Sequence, residues 1–578
     1  MFLKKTKRSY KQKGYENYAL TESYREEGKV KHKHIANLGA LTPEQAQRIR
    51  LVLKVQNIEE AYVGPLADVV AKKHYRFLDV AVLDALWRRF ALDEFFARQL
   101  YPEAMAVNRC LEPKTKIRIK AWAEGTVLPR LAHQIFQGEY EVYRVLDEIA
   151  EREEDLQEHL HQQYLKQGLM ADNVFFYDIT SSYFEGNRCV IATYGYSRDH
   201  RPDRKQIVIA LVITPDGFPV YWQVLPGNVQ DVTTVKELLC VLKERFGIEK
   251  CLLVFDRGMV SAENLQAFLE QDFTYISALD RDEIKGLGFL ESDFSEFLKG
   301  NWRDNLLAKG FSVYDEYTLY REHTYLEKRY LIAYNRLFYN EQQKNRKVRF
   351  EKAEQFIASY NEELNRAQRS RSEKATANKI TNRLRNLKMQ KVFSYRLQPL
   401  TLIAHSVKGK QKQVRSFSID YTVNETELAR LEYLDGVCCF VTNAPALTAQ
   451  QIIGAYRRKN KIEEAFREIK SYLKVRPFHL TREERVRAHV SICTLGYLML
   501  NALEEDLKHS FEQPLSAPAA LDIFSQCQLN RIGPKNSDTF VESITELTTE
   551  QVELLHGLGL DHLTKKKFLG QILEHSFL

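Results

Sequence analysis

Asn173-Val-Phe-Phe-Tyr-Asp178-Ile-Thr180 is the stretch on which the fold turns. It is a continuous apolar run without helical spacing, which reads as a strand buried on both faces, and it closes on an acid. A second run of the same style, Lys250-Cys-Leu-Leu-Val-Phe-Asp256, also ends on an aspartate. Between them, residues 206–214 read as a strand, Pro215-Asp-Gly217 as a turn, and residues 218–225 as the returning strand. Residues 231–246 are helical, Ser261 caps a helix reaching Glu270, and residues 273–279 form another strand. The order β-β-β-α-β-α-β predicts an α/β domain in which two strands end on aspartates. Side chains at strand ends are held rigidly at the sheet edge, which suits them to a site.

A third acid comes from Tyr456-Arg-Arg-Lys459-Asn-Lys-Ile-Glu463-Glu-Ala-Phe-Arg467-Glu-Ile-Lys470. Read as one amphipathic helix, it places Tyr456, Lys459, Glu463 and Lys470 within roughly 60° of one another. A separate apolar stripe, Ile462, Phe466, Ile469 and Leu473, faces a core. Taken alone, mixed charge at helical spacing is ordinary solvated surface. The two strand-end aspartates are what raise Glu463 above the other glutamates. Three hard oxygen ligands flanked by cations suit Mg²⁺ or Mn²⁺ with a phosphate chain beside them. Zinc is disfavoured because no Cys/His cluster has ligand spacing. A nucleophile elbow and a P-loop are both missing from the sequence.

The charge distribution points to a polyanion. The net charge of +7 is concentrated: residues 1–34 carry ten Lys/Arg against four Glu, and residues 366–391 carry nine against one. Two basic segments on a slightly acidic remainder fit nucleic acid. The N-terminal segment reads as a β-hairpin turning at Gly28, able to lie on a phosphate backbone or enter a groove. Thr42 caps the helix after it, and residues 64–168 carry a helical pattern. Residues 280–436 differ in texture, with strand-like pieces at 311–320, 325–334, 393–405 and 413–421. A helical hairpin with a basic second arm spans 340–390. With 44% hydrophobic and 28% charged residues the chain can bury several cores. The longest apolar run, residues 490–503, is too short to span a bilayer and reads as a buried helix, so no membrane is expected. Eight scattered cysteines without a Cys-x-x-Cys pair and a basic, polar start fit reduced thiols and a cytoplasmic protein.

These motifs resemble the DDE transposases of bacterial insertion sequences, closest to insertion-sequence family four in the broad sense. That group carries a Tyr-x2-Arg-x3-Glu-x6-Lys signature. Tyr456, Lys459, Glu463 and Lys470 match it at every spacing, with lysine at 459 where arginine is usual. Phe-Tyr-Asp178-Ile-Thr is similar to the first-acid motif and Phe-Asp256-Arg-Gly258 to the second. Gly195 to Gln206, Gly217-Phe-Pro219 and Pro226-Gly-Asn-Val-Gln-Asp231 are similar to the segments between them, and Lys470 to Pro477 with Arg487-Ala-His489 to the stretch after the third. The resemblance covers about residues 18–505, and the 207 residues between Asp256 and Glu463 leave room for a large insertion.

The resemblance implies an RNase H-like catalytic core, a mixed five-stranded sheet with flanking helices, interrupted by a large α+β insertion and preceded by a β-hairpin and helical DNA-binding regions. The divisions expected are a basic arm at 1–62, a helical DNA-binding domain at 63–168, core at 169–279 and 437–505, insertion at 280–436 and a helical tail at 506–578. It implies two Mg²⁺ (or Mn²⁺) ions held by Asp178, Asp256 and Glu463, Asp178 bridging them. They serve in-line cleavage of DNA at element ends and strand transfer without a covalent protein–DNA intermediate. Tyr456, Lys459, Lys470 and Arg467 would grip phosphates, and Arg198, His200, Arg201 and Lys205 would line the DNA channel. Trp222 and Trp302 are candidates to stack on a flipped base, although packing is the plainer role for Trp222. His489 reads as a structural histidine. The partners are double-stranded DNA, as terminal inverted repeats and target, and a second copy in a synaptic homodimer. The alternatives are an RNase H-like nuclease without strand transfer and a catalytically inactive DNA-binding derivative.

Overall fold

The computed structural model describes residues 1–10, 13–54, 66–170, 173–186, 188–259, 261–291, 293–326, 328–405 and 411–573. They form two compact units, one built from residues 1–89, 98–139 and 506–578, the other from 90–97 and 140–505.

The first unit opens with an antiparallel sheet of β1 (Phe2–Tyr10), β2 (Lys13–Glu26) and β3 (Lys29–Gly39) in that order. The expected hairpin is therefore two of three strands, with Gly28 at φ 76° in its turn. A left-handed residue there favours glycine, which has no Cβ to clash. Thr42 caps the helix Pro43–Lys54: its hydroxyl accepts from Gln45 N at 3.2 Å while Gln45 bonds back to Thr42 N at 2.9 Å. That helix buries Ala46 with Leu3 and Tyr18. Residues 64–168 are not wholly helical, for β4 (Val69–Arg76) lies among them. It pairs with β16 (Gln528–Pro534), which also pairs with β17 (Val541–Ile544) in the tail expected to be helical. The reason is partnership across some 450 residues, which no local pattern records. Tyr75 of β4 lies under the Arg130 and Arg531 guanidinium groups, 4.5 and 5.5 Å from its ring centre, and both arginines bond Glu542.

The second unit is built on a mixed sheet of nine strands, not five. In chain order they are β5 (Val174–Tyr183), β6 (Gln206–Ile213), β7 (Pro219–Pro226), β8 (Leu252–Phe255), β9 (Thr274–Ala278), β10 (Ser312–Val313), β11 (Thr318–Tyr325), β12 (Lys328–Asn335) and β15 (Val437–Thr442). Their order across the sheet is β10-β11-β12-β15-β9-β8-β5-β6-β7. The five strands read from the motifs form one contiguous part, β9-β8-β5-β6-β7, with β5, β8 and β9 parallel and β6 antiparallel to β5. The other four join at the free edge of β9. β15 pairs with β9, and the first part of the insertion then extends the sheet through β12, which pairs with β15. β6 is buried along its whole length, so both sheet faces are covered there.

Helix Glu153–Gln167 packs against β7, where Gln157 donates to Trp222 O at 2.7 Å and Tyr164 to Pro219 O at 3.0 Å. Helix Glu483–Ser510 is, among the described residues, long and apolar enough to cross a membrane, but 94% of its apolar window is buried within the protein. Ser491 and Glu153 both bond Trp222 Nε1, and His489 meets Val475 O at 3.1 Å, so Trp222 and His489 serve the core. The rest of the insertion builds a local core of its own. Helices Arg336–Asn365 and Glu373–Asn386 cover the ribbon β13 (Phe393–His405) and β14 (Gln411–Val423), burying Ile357, Leu364, Ile380 and Phe393.

Candidate active site

β8 stops at Phe255, so Asp256 stands at a strand end as expected. β5 does not stop at Asp178. Tyr177 pairs with Phe255, and β5 then runs on to Tyr183 against β6 alone. Asp178 is therefore mid-strand, placed beside a strand end because its neighbour β8 is shorter. The result serves the site equally: Asp178 and Asp256 follow directly on the last parallel pair. Burial, and then the Asp256 carboxylate, push the Asp178 carboxyl up to about 7, with Lys459 opposing.

The third-acid segment is not one helix. Helix Ala449–Arg458, opened by a Thr448–Gln451 capping box, ends at Lys459, helix Asn460–Arg467 follows, and a π-turn spans Glu468–Tyr472. The apolar stripe behaves as read: Ile462, Phe466, Ile469 and Leu473 are all buried, with helix Asn460–Arg467 against β5 and β6. The four-residue chemical stripe does not survive. Lys470 lies inside the π-turn and reaches Thr180, two residues beyond Asp178 on β5, where Lys459 reaches Asp256 and Glu463.

What gathers at the acids is Lys459. Its side chain is only 4% exposed, with its ammonium 2.8 Å from Asp256 Oδ1 and 4.0 Å from Glu463 Oε1. Burial pulls its pKa down, but Asp256 and Asp178 more than offset this and raise it. Tyr456 lies beside it, its ring 4.6 Å from that of Phe440, and burial raises the phenol. Glu463 is largely exposed, with 66% of its side chain accessible. Among the described residues no three His, Cys, Asp or Glu side chains close on one point. The donor set nonetheless fits a divalent ion: it is all carboxylate oxygen, two of the acids are forced together, and a buried ammonium already supplies positive charge between them.

Lys470 instead donates to Thr180 Oγ1 at 2.6 Å and to Asp199 Oδ1 at 3.0 Å. Asp199, 4% exposed, also takes Arg476 Nη1 at 2.5 Å and the Tyr183 amide at 3.3 Å. Burial lowers the Lys470 pKa, with Asp199 opposing, and the pair forms an internal clamp. Asp199 and Arg476 were not picked out from the sequence; the signal available was an acid within an otherwise basic loop. That loop packs closely. A Cβ at Gly195 would strike the Gly227 carbonyl, and Gln206 Nε2 ties Tyr196 O and Gly227 O at 3.0 and 2.8 Å.

The loop cations fare differently from one another. The Arg198 amide donates to Ser181 Oγ at 2.8 Å and its charge favours ionised Asp178. His200 is exposed with a left-handed backbone at φ 56°. Arg201 is forked onto Asp203 by two bonds of 2.9 Å, which neutralises it. The Lys205 carbonyl accepts from Phe184 N at 2.8 Å, and its side chain is partly buried. Arg467 is exposed, and its charge falls on Glu468. Trp302 lies 5.4 Å from the Tyr334 ring.

A mixed α/β unit that sets carboxylates from two parallel strands and a following helix around one cation defines a class of site suited to chemistry at phosphorus. A family model described as "Transposase DDE domain" matches residues 171–499, and one described as "IS1634 family transposase, N-terminal domain" matches residues 3–61. The first spans more than half of the chain, so the chain belongs to the DDE transposases of bacterial insertion sequences. It is an enzyme of DNA cleavage and strand transfer, from a family that uses divalent metal ions. No curated protein matches it. Among solved structures, a piggyBac transposase synaptic complex with hairpin DNA is similar at TM-score 0.32 and 8% identity, over 83% of this chain and 76% of that one. A Mos1 transposase paired-end complex is similar at TM-score 0.14 and 13% identity, over 41% and 68%. At these TM-scores neither superposition bears on the fold.

Proposed function

We propose that Asp178, Asp256 and Glu463 are the catalytic carboxylates of this transposase, and that Tyr456, Lys459 and Arg198 hold the scissile phosphate beside them. The observation that carries the reading is the buried Lys459 ammonium shared by Asp256 and Glu463, with Asp178 one strand away. The strand order β7-β6-β5-β8-β9, with β6 alone reversed, is that of an RNase H-like core and supports the same assignment.

The three carboxylates would hold two Mg²⁺ or Mn²⁺ ions, which when bound supply activation of water or of a DNA 3′-hydroxyl and stabilisation of the leaving oxygen. Asp178 contributes a carboxyl that burial raises to about 7, and added positive charge beside it favours the ionised form. Lys459 neutralises the acids before DNA arrives and can turn its ammonium to a phosphate afterwards. As a point charge it lacks the bidentate fork of an arginine. Tyr456 brings a neutral phenol, a hydrogen-bond donor at any working pH. The substrates are double-stranded DNA at terminal inverted repeats and at the target, and pairing two ends calls for a homodimer in the synaptic complex. Residues 1–62 and 63–168 are assigned to gripping DNA, 169–279 and 437–505 to the catalytic core and 280–436 to the insertion. The cytoplasm, at the nucleoid, is where such substrates lie.

The test is cleavage of a duplex bearing the element end in Mg²⁺. Asp178→Asn, Asp256→Asn and Glu463→Gln should each lower cleavage about a thousandfold or more while duplex binding holds. Glu464→Gln and Glu468→Gln should stay near wild type, because the acids that act on Lys459 are Asp256, Asp178 and Glu463, whereas Glu468 faces Glu504 and Lys461. Wild-type cleavage by Glu463→Gln would sink the assignment of the third acid.

A further inference from the structure

The basic segment 366–391 is only partly available to a partner. Lys379 and Arg371 both pair with Glu363, at 3.2 and 2.9 Å, and the Lys379 ammonium sits 3.8 Å from the Tyr360 ring centre. Towards the end of the segment the picture changes. Arg385, Lys388 and Lys391 make no ion pair among the described residues, and Arg385 reaches only Asn382 Oδ1 at 3.3 Å. They cluster where helix Glu373–Asn386 ends and Lys388 turns the chain at φ 57°. Opposite them, helix Glu425–Glu432 supplies Arg430, braced by Glu427 at 3.0 Å and Asp282 at 3.7 Å. Together with Gln390 these side chains enclose a cavity of about 240 Å³ over Val392 and Leu431.

We propose that this notch binds backbone phosphates of double-stranded DNA, an inference that rests on the transposase reading and adds a contact site to it. Four cations and one acid line the cavity, so it carries net positive charge and favours an anion. No aromatic side chain lines it, so it offers no surface on which a base can stack. Its volume falls below that of ordinary small-molecule pockets, which start at about 300 Å³. Phosphate oxygens fit these constraints, and a free nucleotide does not. Contacts also link the notch to the strand end that carries Asp256. Asp282, which braces Arg430, belongs to the helix Arg281–Leu287 that Asp280 caps, and Asp280 pairs with Arg257, next in sequence to Asp256. Phosphate contacts at the notch position the duplex without reading its sequence.

The experiment measures binding of the full chain to a duplex of arbitrary sequence across a salt series, by fluorescence anisotropy. The variant Arg385→Gln/Lys388→Gln/Lys391→Gln should lower the slope of log K against log salt by about 2–3, since each phosphate neutralised by the protein adds about 0.9. Lys388→Gln and Lys391→Gln singly should each lower it by about 0.9, which keeps the test open if the triple variant folds poorly. Lys250→Gln/Lys299→Gln, two exposed lysines elsewhere, should leave the slope unchanged. An unchanged slope in the notch variants, with the wild type still binding duplex, would overturn the proposal. So would loss of inorganic phosphate binding, read by ³¹P NMR, with an unchanged DNA slope, for the occupant would then be a free anion. Failure of the wild type to bind duplex at all would instead strike the DNA-binding reading beneath it.

Discussion

Lys459 and Lys470 carry the same formal charge and sit eleven residues apart, yet they do different work. Lys459 is the internal counter-ion of the acids. Replacing it with methionine leaves Asp178 and Asp256 facing each other without compensation, which should cost about 1–2 kcal/mol at pH 8 in chelator, discounted for the exposure of Asp256. The gain in Tm on adding Mg²⁺ should then exceed that of the wild type; an equal gain would remove Lys459 from the role of counter-ion. Lys470 and Asp199 form a buried pair with Arg476 and Thr180. A double-mutant cycle of Lys470→Met and Asp199→Asn, followed by urea unfolding, should return a coupling of about 1–3 kcal/mol. If Lys470→Met left stability alone and weakened duplex binding instead, Lys470 would be a phosphate contact after all. The acids were legible because each follows a recognisable local pattern. The Lys470–Asp199 clamp was not, because 271 residues separate its halves.

At the scale of elements, caps and strands followed local chemistry. Thr42 and Ser261 each cap the helix that the sequence has them open, and Thr448 does the same for helix Ala449–Arg458, through side-chain oxygens accepting from the third amide on. The break in the third-acid segment did not show, because ideal helical geometry extrapolates smoothly through residues that the protein winds into a π-turn. That turn carries Glu468, whose carboxyl is pushed up to about 7 by burial and then by Glu504. The native state therefore keeps a proton that the unfolded chain sheds near the ordinary glutamate value of 4.5. Stability contributed through this group is present in full below that value and is lost as pH rises to about 7. Glu468→Gln should flatten this part of the Tm profile and stabilise the protein at pH 8 by on the order of 1 kcal/mol. A variant that tracks the wild-type profile between pH 5 and 8 would show that Glu468 titrates normally.

At the scale of the molecule, the insertion is joined to the catalytic sheet twice over. β10, β11 and β12 extend the sheet, and a buried charge cluster ties in the long helix Arg336–Asn365. Asp435, 1% exposed, takes Arg346 Nη1 and Arg281 Nη2, each at 3.0 Å, and Gln343 at 3.1 Å. Asp435→Asn strands a buried guanidinium and should cost about 3 kcal/mol in chemical unfolding. A loss below about 0.5 kcal/mol, the range of ordinary surface changes, would mean that the cluster is dispensable. The sequence by itself determined what local chemistry governs: the buried strands, the capped helices, the two aspartates that end up side by side, and the glutamate that follows them. Apolar runs, turn residues and caps act through near neighbours, so their consequences can be read along the chain. Only the tertiary structure decided how many strands the sheet holds, which of two lysines neutralises the acids, and which basic residues remain for a partner. Each of those is settled by pairing between distant segments, where burial and a facing charge outweigh anything that sequence spacing encodes.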